Sequence, residues 1–542
     1  MSSHFLFHSE ASETVPANAR YAFPTQASRV IKSQVKVPPR TGINYDNNGA
    51  SSKGKLIQIV IPAQGYLNPL ESYLRFDLTL IAASVTGLVG VRPTDCIHSM
   101  FRRMRILYGS LVIEDIQNYA TLVRMLTNVA VNTNYQDHQG CILEGMGSDA
   151  QRAALHNYYY TSGEGVGQSQ PAVAGAVNFS PLGTQNAQWG IGTGIASGQG
   201  ALGASGTSLT HTYCINLASG FLTQQKLIPL KWMANQLTIE LELEEPAGFI
   251  VQGYTASTGT GNGSFSADHV PGFYNTAGDD PGQHASTFTY NLDNVYYVAE
   301  LLEFDSTYDA AFYQGMLTGG VPIKFASWHN YIHAMSGGTK QNLVIQERSR
   351  SIKAAFSVIR DTLDLNSSYY MTDPLWFYAG SIYDCQAVPN ATPGALLLSN
   401  VNNKTDLNPT RATQWIQEFQ WRIGGRYFPS QPVRTDNGGA EALAELQKAL
   451  NSLGDYSVSS PISIQNWWRN RGCFTMSAEF ESSNGTEMSG VNAEELADLA
   501  LSISWATQSG GTGVSSSALL YSFIHYDAML IIRPNNVIEL VA

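Results

Sequence analysis

Strict alternation of hydrophobic and polar residues marks several segments in the first half of the chain. It is clearest in YLRFDLTL at residues 73–80 and in LTIELELEE at residues 237–245. A period of two residues is typical of a strand that buries one face. The two segments predict six core residues: Leu74, Phe76, Leu78, Leu237, Ile239 and Leu241. Because the other face of the second segment is acidic, we expect it to close a first β domain.

The same pattern returns in the second half, where one strand-like segment follows another. EFQWRIGGRYF at residues 418–428 has Trp421 and Ile423 on its apolar face, and SFIHYDAMLIIRP lies at residues 522–534. Strands do not alternate regularly with helices, which favours packed antiparallel sheets. The 542 residues also exceed the ~250 to 300 at which one core stops growing. We therefore predict an all-β protein with two successive domains.

Two segments carry helical periodicity instead. A helix is predicted at residues 440–453, with Asp436 or Asn437 as its N-cap and Gly454 at its end. Its apolar stripe consists of Leu443, Leu446, Leu450 and Leu453. A second helix is predicted in VNAEELADLALSISW, residues 491–505. Leucine stripes of this kind indicate a packing surface rather than a cofactor site.

The periodic segments and the stretches between them divide the chain into four parts. Residues 1–50 lack periodicity and are predicted to form an extended N-terminal arm. Residues 51–250 are predicted to form the first domain. Residues 251–287, rich in Gly, Ser and Thr, are predicted to be a linker. The second domain is then predicted to span residues 288–542.

The predicted arm carries basic residues although the whole chain is acidic. These residues are Arg20, Arg29, Lys32, Lys36 and Arg40. The arm has too few apolar residues to fold alone, so we expect it to become ordered on binding, in contacts beneath an assembled structure. The alternative is that the arm pairs as an edge strand within its own subunit.

A long uncharged insertion interrupts the first domain at about residues 165–225. It contains no Asp, Glu, Lys or Arg, and Gly, Ser, Ala, Gln and Thr dominate it. Such a segment is either disordered or a functional loop. Phe179, Trp189 and Phe221 favour an ordered loop packed against other protein, because disordered segments are normally charge-rich and poor in aromatics.

Charge is scarce in this chain. Charged residues make up 14% and aromatic residues 11%, whereas an average soluble domain has ~25% charged residues. Such a surface suits a protein covered by copies of itself, because interface cores are depleted of charge. An ordinary β protein rich in Gly is the alternative. The net charge of −12 argues against nucleic-acid binding over a broad surface, which requires clustered Lys and Arg.

Candidate catalytic and metal-binding residues are few. His329 and His333 have the spacing of metal ligands, but their flanks predict a strand and no third zinc ligand is nominated. The five cysteines never form a Cys-x-x-Cys pair and are expected to be buried thiols in a reducing compartment. We predict no enzyme, no cofactor and no metal. A pair of sugar-hydrolysing carboxylates converges only in space, so that possibility stays open.

Five segments, taken in order, carry a family resemblance: YLNPLESYLRFDL, CIHSMFRRMRILYGSLVIEDIQNY, RSRSIKAAFSVIRD, WRIGGRYFPSQPV and FIHYDAMLII. They resemble the double jelly-roll major capsid proteins of small eukaryotic double-stranded DNA viruses, the polinton-like viruses and virophages. The resemblance implies two tandem eight-stranded antiparallel jelly rolls with short flanking helices. The helix at 440–453 would flank the second jelly roll.

The resemblance also implies a function and partners. Three chains would form a homotrimeric pseudo-hexagonal capsomer, and capsomers would tile an icosahedral virion shell that protects the genome. Expected partners are neighbouring capsomers, penton and minor capsid proteins and an internal membrane, without sequence-specific binding of nucleic acid. The chain would be made and assembled inside the host cell, which agrees with a first segment that lacks signal-peptide features. A β-sandwich carbohydrate-binding protein or glycoside hydrolase is the alternative function.

Overall fold

The computed structural model describes most of both predicted domains. The described residues are 30–46, 55–84, 88–93, 96–137, 139–146, 208–245, 249–255, 287–336, 338–361, 371–372, 416–435, 439–453, 460–462, 475–481, 489–494, 499–505, 507–508, 511–512, 518–534 and 537–542. Arg20, Arg29 and most of the uncharged insertion lie outside this part of the chain.

Strands dominate the described residues. Up to residue 303 they are β1 (Ile31–Val37), β2 (Tyr45–Asp46), β3 (Leu56–Ile61), β4 (Tyr66–Leu67), β5 (Tyr73–Ser84), β6 (Leu88–Pro93), β7 (Phe101–Tyr108), β8 (Leu111–Gln117), β9 (Ser208–Ile215), β10 (Leu237–Leu243), β11 (Ile250–Thr255) and β12 (Thr287–Glu303). From residue 321 they are β13 (Val321–Ala334), β14 (Lys340–Ile345), β15 (Ile352–Asp361), β16 (Met371–Thr372), β17 (Ile416–Ile423), β18 (Arg426–Arg434), β19 (Met476–Glu479), β20 (Leu499–Trp505), β21 (Thr507–Gln508), β22 (Gly511–Thr512), β23 (Ala518–Arg533) and β24 (Val537–Val541).

Helices are few and short in the same part of the chain. They are α1 (Tyr119–Val129), α2 (Thr133–Asp137), α3 (Gln139–Glu144), α4 (Ser306–Gly319) and α5 (Ala440–Asn451). Ile97–Met100 and Leu230–Trp232 form single turns of 3-10 helix. The helix α4 connects the last strand of the first domain to the first strand of the second.

Two antiparallel sheets form the first sandwich. One has the strand order β1-β12-β5-β9, with β2 and β4 also paired to β12, and the other has the order β3-β10-β7-β8. Burial alternates along β3 and along most of β7, as expected where one face of a strand packs on the core. The alternation seen in the sequence therefore corresponds to the two inner faces of this sandwich.

The second sandwich repeats the strand order of the first. Its sheets are β13-β23-β15-β19, with β24 beside β23, and β14-β20-β17-β18. If the eight main strands of each sandwich are numbered in chain order, both contain one sheet of order 1-8-3-6 and one of order 2-7-4-5. The all-β class and the two tandem antiparallel jelly rolls are confirmed. Two smaller sheets, β16-β11-β6 and β21-β22, lie outside this repeat.

The predicted core residues contribute to both sandwiches. Ten are buried: Leu74, Phe76, Leu78, Leu237, Ile239, Leu241, Trp421, Ile423, Leu446 and Leu450. The eleventh, Leu443, is half-buried and packs against the core. The tight hairpin β17–β18 helps to hold its strands in register, because Gly424 and Gly425 supply the positive φ angles that a two-residue turn of this type requires.

The predicted domain boundary at residue 288 is wrong. Strand β12 pairs along its length with β5 and β1, so it completes the first sandwich rather than starting the second. The sequence pattern of β12 is that of any half-buried strand, and only pairing decides to which sandwich such a strand belongs. Similarly, β11 begins at the last residue of the predicted first domain, extends into the predicted linker and pairs with β6. The connection between the sandwiches is α4.

Parts of the predicted arm and of the predicted insertion also belong to the first sandwich. Residues 31–37 form edge strand β1, which pairs with β12, so Lys32 and Lys36 lie in a sheet and not in a free arm. Arg40 follows this strand and donates its backbone N–H to the carbonyl of Gln58. At the end of the insertion, β9 pairs with β5. Backbone pairing thus adds polar, weakly periodic segments to the sheet.

The two helix predictions differ in outcome. Helix α5 forms where the leucine stripe placed it, but its N-cap is Gly439 rather than Asp436 or Asn437, which lie outside the described residues, as does Gly454. The predicted helix at 491–505 is wrong, because residues 499–505 form β20, a central strand paired with β14 and β17. Leu499, Leu501, Ile503 and Trp505 alternate inward there, and this period of two is the signal that the helical interpretation overlooked.

Candidate functional site

The described residues offer little to catalysis or to metal binding. No group of three His, Cys, Asp or Glu in this part of the chain is placed to hold a metal ion. The described helices include none that is long and apolar enough to cross a membrane. His329 and His333 both lie on β13 but have different partners: Nδ1 of His329 is 3.1 Å from Oε2 of Glu347, whereas Nε2 of His333 is 3.0 Å from the carbonyl oxygen of Val344. Within these residues the two histidines act as structural groups.

A groove of about 370 Å³ opens on the sheet that contains β14, β20 and β17. Its polar lining consists of Lys340, Gln341, Asn342, Glu418, Gln420, Ser502 and Ser504. Among these described lining residues, Glu418 is the only carboxylate. Glycoside hydrolysis normally requires two carboxyl groups on opposite sides of the scissile bond. The groove therefore does not supply the catalytic pair of a glycoside hydrolase.

The junction between the two sandwiches contains an organised network of buried polar groups. It is built around Glu114 of β8, a glutamate that is buried within the mostly apolar sequence LVIEDI. Oε1 accepts hydrogen bonds from Oγ of Ser327 on β13, at 2.6 Å, and from the backbone N–H of Gly220, at 3.0 Å. Oε2 accepts from Oγ of Ser219 and from the backbone N–H of Phe221, at 3.4 Å. One carboxylate thus links both sandwiches and the segment after β9.

Burial controls the protonation of this carboxyl group. Removal from water raises the pKa of Glu114, and the hydrogen bonds from Ser219, Ser327 and the two backbone N–H groups oppose that rise without cancelling it. No cation neutralises Glu114 in the hydrogen bonds and ion pairs of the described residues. A buried carboxylate held by four donors is sensitive to the loss of any one of them, because each broken contact leaves a buried polar group unsatisfied.

Further contacts fix the sandwiches beside each other. Nδ2 of Asn118 donates to Oδ1 of Asn330 at 2.6 Å. The rings of Phe221 and Phe325 meet edge to face, with centroids 5.3 Å apart. A Cβ atom on Gly220 would lie 1.5 Å from the carbonyl oxygen of Ala326, so only glycine fits this close approach. The sandwiches are therefore joined by packing and hydrogen bonds, and not by the connecting helix alone.

A second carboxylate, Glu347, is buried close to His329 of β13. Glu347 accepts from the hydroxyl of Ser349 at 2.7 Å and from the backbone N–H groups of Arg348 and Ser349. Burial acts to raise the pKa of Glu347, but the contacts with His329 and Ser349 outweigh it and lower the pKa overall. The ring of His329 stacks on Tyr526 at a centroid distance of 4.1 Å. This cluster ties β13 and β23 to the segment between β14 and β15.

Of the predicted assembly residues, Lys32, Lys36 and Arg40 lie in the part of the chain that the structure describes, on or next to β1. Nζ of Lys32 forms ion pairs with Glu71 and, at 3.1 Å, with Glu300 of its own chain. The buried Glu114 was missed because a glutamate inside a strand pattern predicts the polar face. Its flanks, Ile113 and Ile116, are both buried, and this break in the alternation was the available signal. Gly220 gave no signal, because glycine is common throughout the surrounding segment.

Comparisons with known structures identify the fold. The chain is similar to the Faustovirus major capsid protein, with a TM-score of 0.52 and 11% identity over 96% of this chain and 93% of that one. A chain of the Sputnik virophage gives a TM-score of 0.47 and 9% identity over 97% and 91%. The mavirus major capsid protein gives 0.41 and 9% over 100% and 94%. No protein-family model and no curated protein matches the sequence. The predicted double jelly-roll resemblance is therefore confirmed as a fold.

Proposed function

We propose that this chain is a major capsid protein that assembles as homotrimeric, pseudo-hexagonal capsomers in an icosahedral virion shell. The observation that carries the proposal is the repeated strand order of two sandwiches in one chain, joined through a buried polar junction. The Faustovirus protein of the same fold is a major capsid protein. Three such chains present six similar sandwiches around a threefold axis, which is the geometry of a six-sided tile.

The surface chemistry supports self-association. Contacts around a closed threefold axis are heterologous, so each subunit needs two different surfaces. Both surfaces must have a small free-energy cost of desolvation. The chain has only 14% charged residues, and charge is depleted in the cores of stable interfaces. Such a surface is costly in an isolated subunit and stabilising in a shell. We extend the proposal to contacts with neighbouring capsomers, penton proteins, minor capsid proteins and an internal membrane, and to assembly inside the host cell.

The basic N-terminal residues belong to the same proposal. Strand β1 lies at the edge of its sheet, and residues 1–29 precede it. We propose that this preceding segment, with Arg20 and Arg29, makes contacts beneath the shell. Deletion of residues 2–29 is expected to leave soluble oligomers and to prevent or distort shell formation. Normal shells, or a loss of oligomers, would reject this role for the segment.

Electron microscopy of the purified protein tests the proposed function. Uniform trimers, or shells formed on concentration, are the expected result. Dispersed monomers that bind oligosaccharides would instead identify a carbohydrate-binding protein. A glycan-binding measurement on the same sample, with Glu418→Gln as the groove variant, separates these outcomes because the variant changes the groove and leaves the junction intact.

A further inference from the structure

Helix α4, between the sandwiches, has an unusual surface. Its sequence STYDAAFYQGMLTG contains one charged residue, Asp309, and its apolar residues point in all directions around the helix. Met316 is its one buried residue. Tyr308, Tyr313 and Leu317 are 39%, 42% and 52% exposed. A helix that is apolar all round normally lies inside a protein, so the described residues leave α4 incompletely covered.

The helix is nevertheless rigidly held. Its N-cap Asp305 accepts a hydrogen bond from the backbone N–H of Tyr308 at 3.0 Å. Trp232 stacks on Phe312 and on Tyr313, with centroid distances of 5.9 and 5.7 Å. These contacts order α4 before any partner arrives, and a preordered surface loses less conformational entropy on binding.

The single charge of α4 is already neutralised within the chain. Asp309 accepts a hydrogen bond from the hydroxyl of Tyr66 at 3.1 Å and pairs with the ammonium group of Lys231. The same Lys231 lies 5.8 Å from the centroid of the Trp232 ring. The helix therefore presents a neutral aromatic and aliphatic surface, which offers no attraction to a phosphate backbone or to anionic headgroups.

Two further exposed apolar residues lie near the start of the helix. In the β1–β12 pair, Ile31 lies opposite Glu303, two residues before Asp305. Ile31 and the preceding Val30 are 51% and 45% exposed. The edge strand and the helix thus place exposed apolar residues at the same end of the first sandwich. Isolated exposed apolar residues are ordinary on protein surfaces, whereas a continuous group of them marks an interaction surface.

We propose that α4, with Val30 and Ile31, is an interface that a second copy of this chain covers in the capsomer. This inference rests on the proposed function and assigns one surface to it. The proposed capsomer and the low charge of the chain select the occupant: a neutral apolar surface is matched by another low-charge protein surface, and only 14% of the residues of this chain are charged. In the described residues, Ile332, Val344 and Tyr427 of the second sandwich are also exposed and apolar. A heterologous ring contact uses two different surfaces of one chain, so exposed apolar residues of the second sandwich are available to cover α4 of a neighbouring copy.

The first test adds charge to the helix. The double variant Tyr313→Glu/Leu317→Glu places two carboxylates where the partner would exclude water, and we expect the dissociation constant of the oligomer to rise by about tenfold or more. Ile142→Glu, at a residue 63% exposed on α3, is the matched control and should leave association unchanged, because α3 packs beside β9 at the opposite edge of the sheet from β1. Mass photometry gives the dissociation constants, and circular dichroism checks that all variants fold. Equal dissociation constants for the double variant and the wild type would overturn the proposal.

The second test asks what covers the helix. In a Leu317→Cys variant, maleimide labelling at the introduced position is followed by peptide mass spectrometry across a dilution series. We expect fast labelling of the dilute monomer and at least about tenfold slower labelling of the oligomer. Slow labelling at every concentration would show that the chain's own segments cover α4, and fast labelling in the oligomer would show that nothing covers it. Either result overturns the inference and leaves the capsid function standing, whereas absence of any oligomer rejects both.

Discussion

Helices α1 and α5 occupy equivalent places in the two sandwiches but have different surroundings. Each lies between the fifth and sixth main strands of its sandwich. Every residue of α1 except Leu126 is buried, whereas α5 buries a stripe and exposes the opposite face. A shared topology therefore does not determine how deeply a helix is buried. The depth of burial depends on which other parts of the chain pack against the helix.

The neighbours of α1 come from both sandwiches. The hydroxyl of Tyr119, at its start, accepts a hydrogen bond from the backbone N–H of Ala218 at 2.8 Å and lies 3.0 Å from Nδ1 of His98. At its end, the carbonyl of Val129 accepts from Oγ of Ser460, which belongs to the second half of the chain. In the described residues, the main contacts of helix α5 are with β19, β18 and β15 of its own sandwich, and the charged residues Glu441 and Lys448 are exposed. Helix α1 is thus part of the junction between the sandwiches, whereas α5 packs over strands of the second sandwich.

Aspartate substitutions on the two helices should give the largest effects. Leu446→Asp places a charge at a fully buried position of α5 and is expected to lower the free energy of unfolding by about 4 kcal/mol or more. Gln447→Asp, on the exposed face, should change it by less than about 0.5 kcal/mol. On α1, both Leu122→Asp and Val123→Asp should be severe, because both faces are buried. Urea denaturation measures all four, and a mild effect of Val123→Asp would contradict the comparison.

The pH dependence of stability sharpens the description of the junction. Burial raises the pKa of Glu114 above its ordinary value of 4.5. Its stabilising contribution is then fully present below the pKa of the unfolded state and is lost as the pH rises through the pKa of the folded state. Relative to Glu114→Gln, wild-type stability should fall across this window by up to about 1.4 kcal/mol per pH unit. Thermal unfolding of both proteins from acid to neutral pH measures the difference. If the stabilities of the wild type and of Glu114→Gln change in parallel with pH, the pKa of Glu114 is not raised in the folded state.

The turn that leads into α1 provides a smaller effect. Asn118 has a left-handed backbone conformation, with φ 51°, and its side-chain amide donates a hydrogen bond to Asn330 across the junction. Asn118→Ala should lower the free energy of unfolding by about 2 kcal/mol, because it loses the hydrogen bond and strains the backbone. Asn118→Gly removes the hydrogen bond without that strain, so it should cost about 1 kcal/mol. Equal losses for the two variants would show that the backbone conformation contributes nothing.

The smallest effect is expected at a surface ion pair far from the junction. Arg533 and Glu539 join β23 to β24, with side chains 47% and 51% exposed. Arg533→Ala should change the free energy of unfolding by less than about 1 kcal/mol, because water and salt screen exposed charges. The matched control is the double variant Arg533→Ala/Glu539→Ala in a double-mutant cycle. A coupling energy as large as the loss at Asn118 would contradict this ranking.

The sequence predicted those elements whose period is set by a single buried face. The strands around Leu74, Leu237 and Trp421 and the helix around Leu446 follow this rule. The prediction failed for residues 499–505, where a strand pattern directly follows helix-forming residues. It also failed at residue 288, because only strand pairing shows to which sandwich β12 belongs. Glu114 and Gly220 were missed because a buried carboxylate is explained only by the donors that the fold brings to it.

Native mass spectrometry of the purified full-length chain tests the central claim most directly. The proposed capsid function requires that each chain contributes two jelly rolls, held as one unit, to a ring of six. It predicts a dominant species of three chains at micromolar concentration, which dissociates to folded monomers on dilution or after α4 is charged. A chain that stays monomeric at that concentration, with both sandwiches folded, would contradict it.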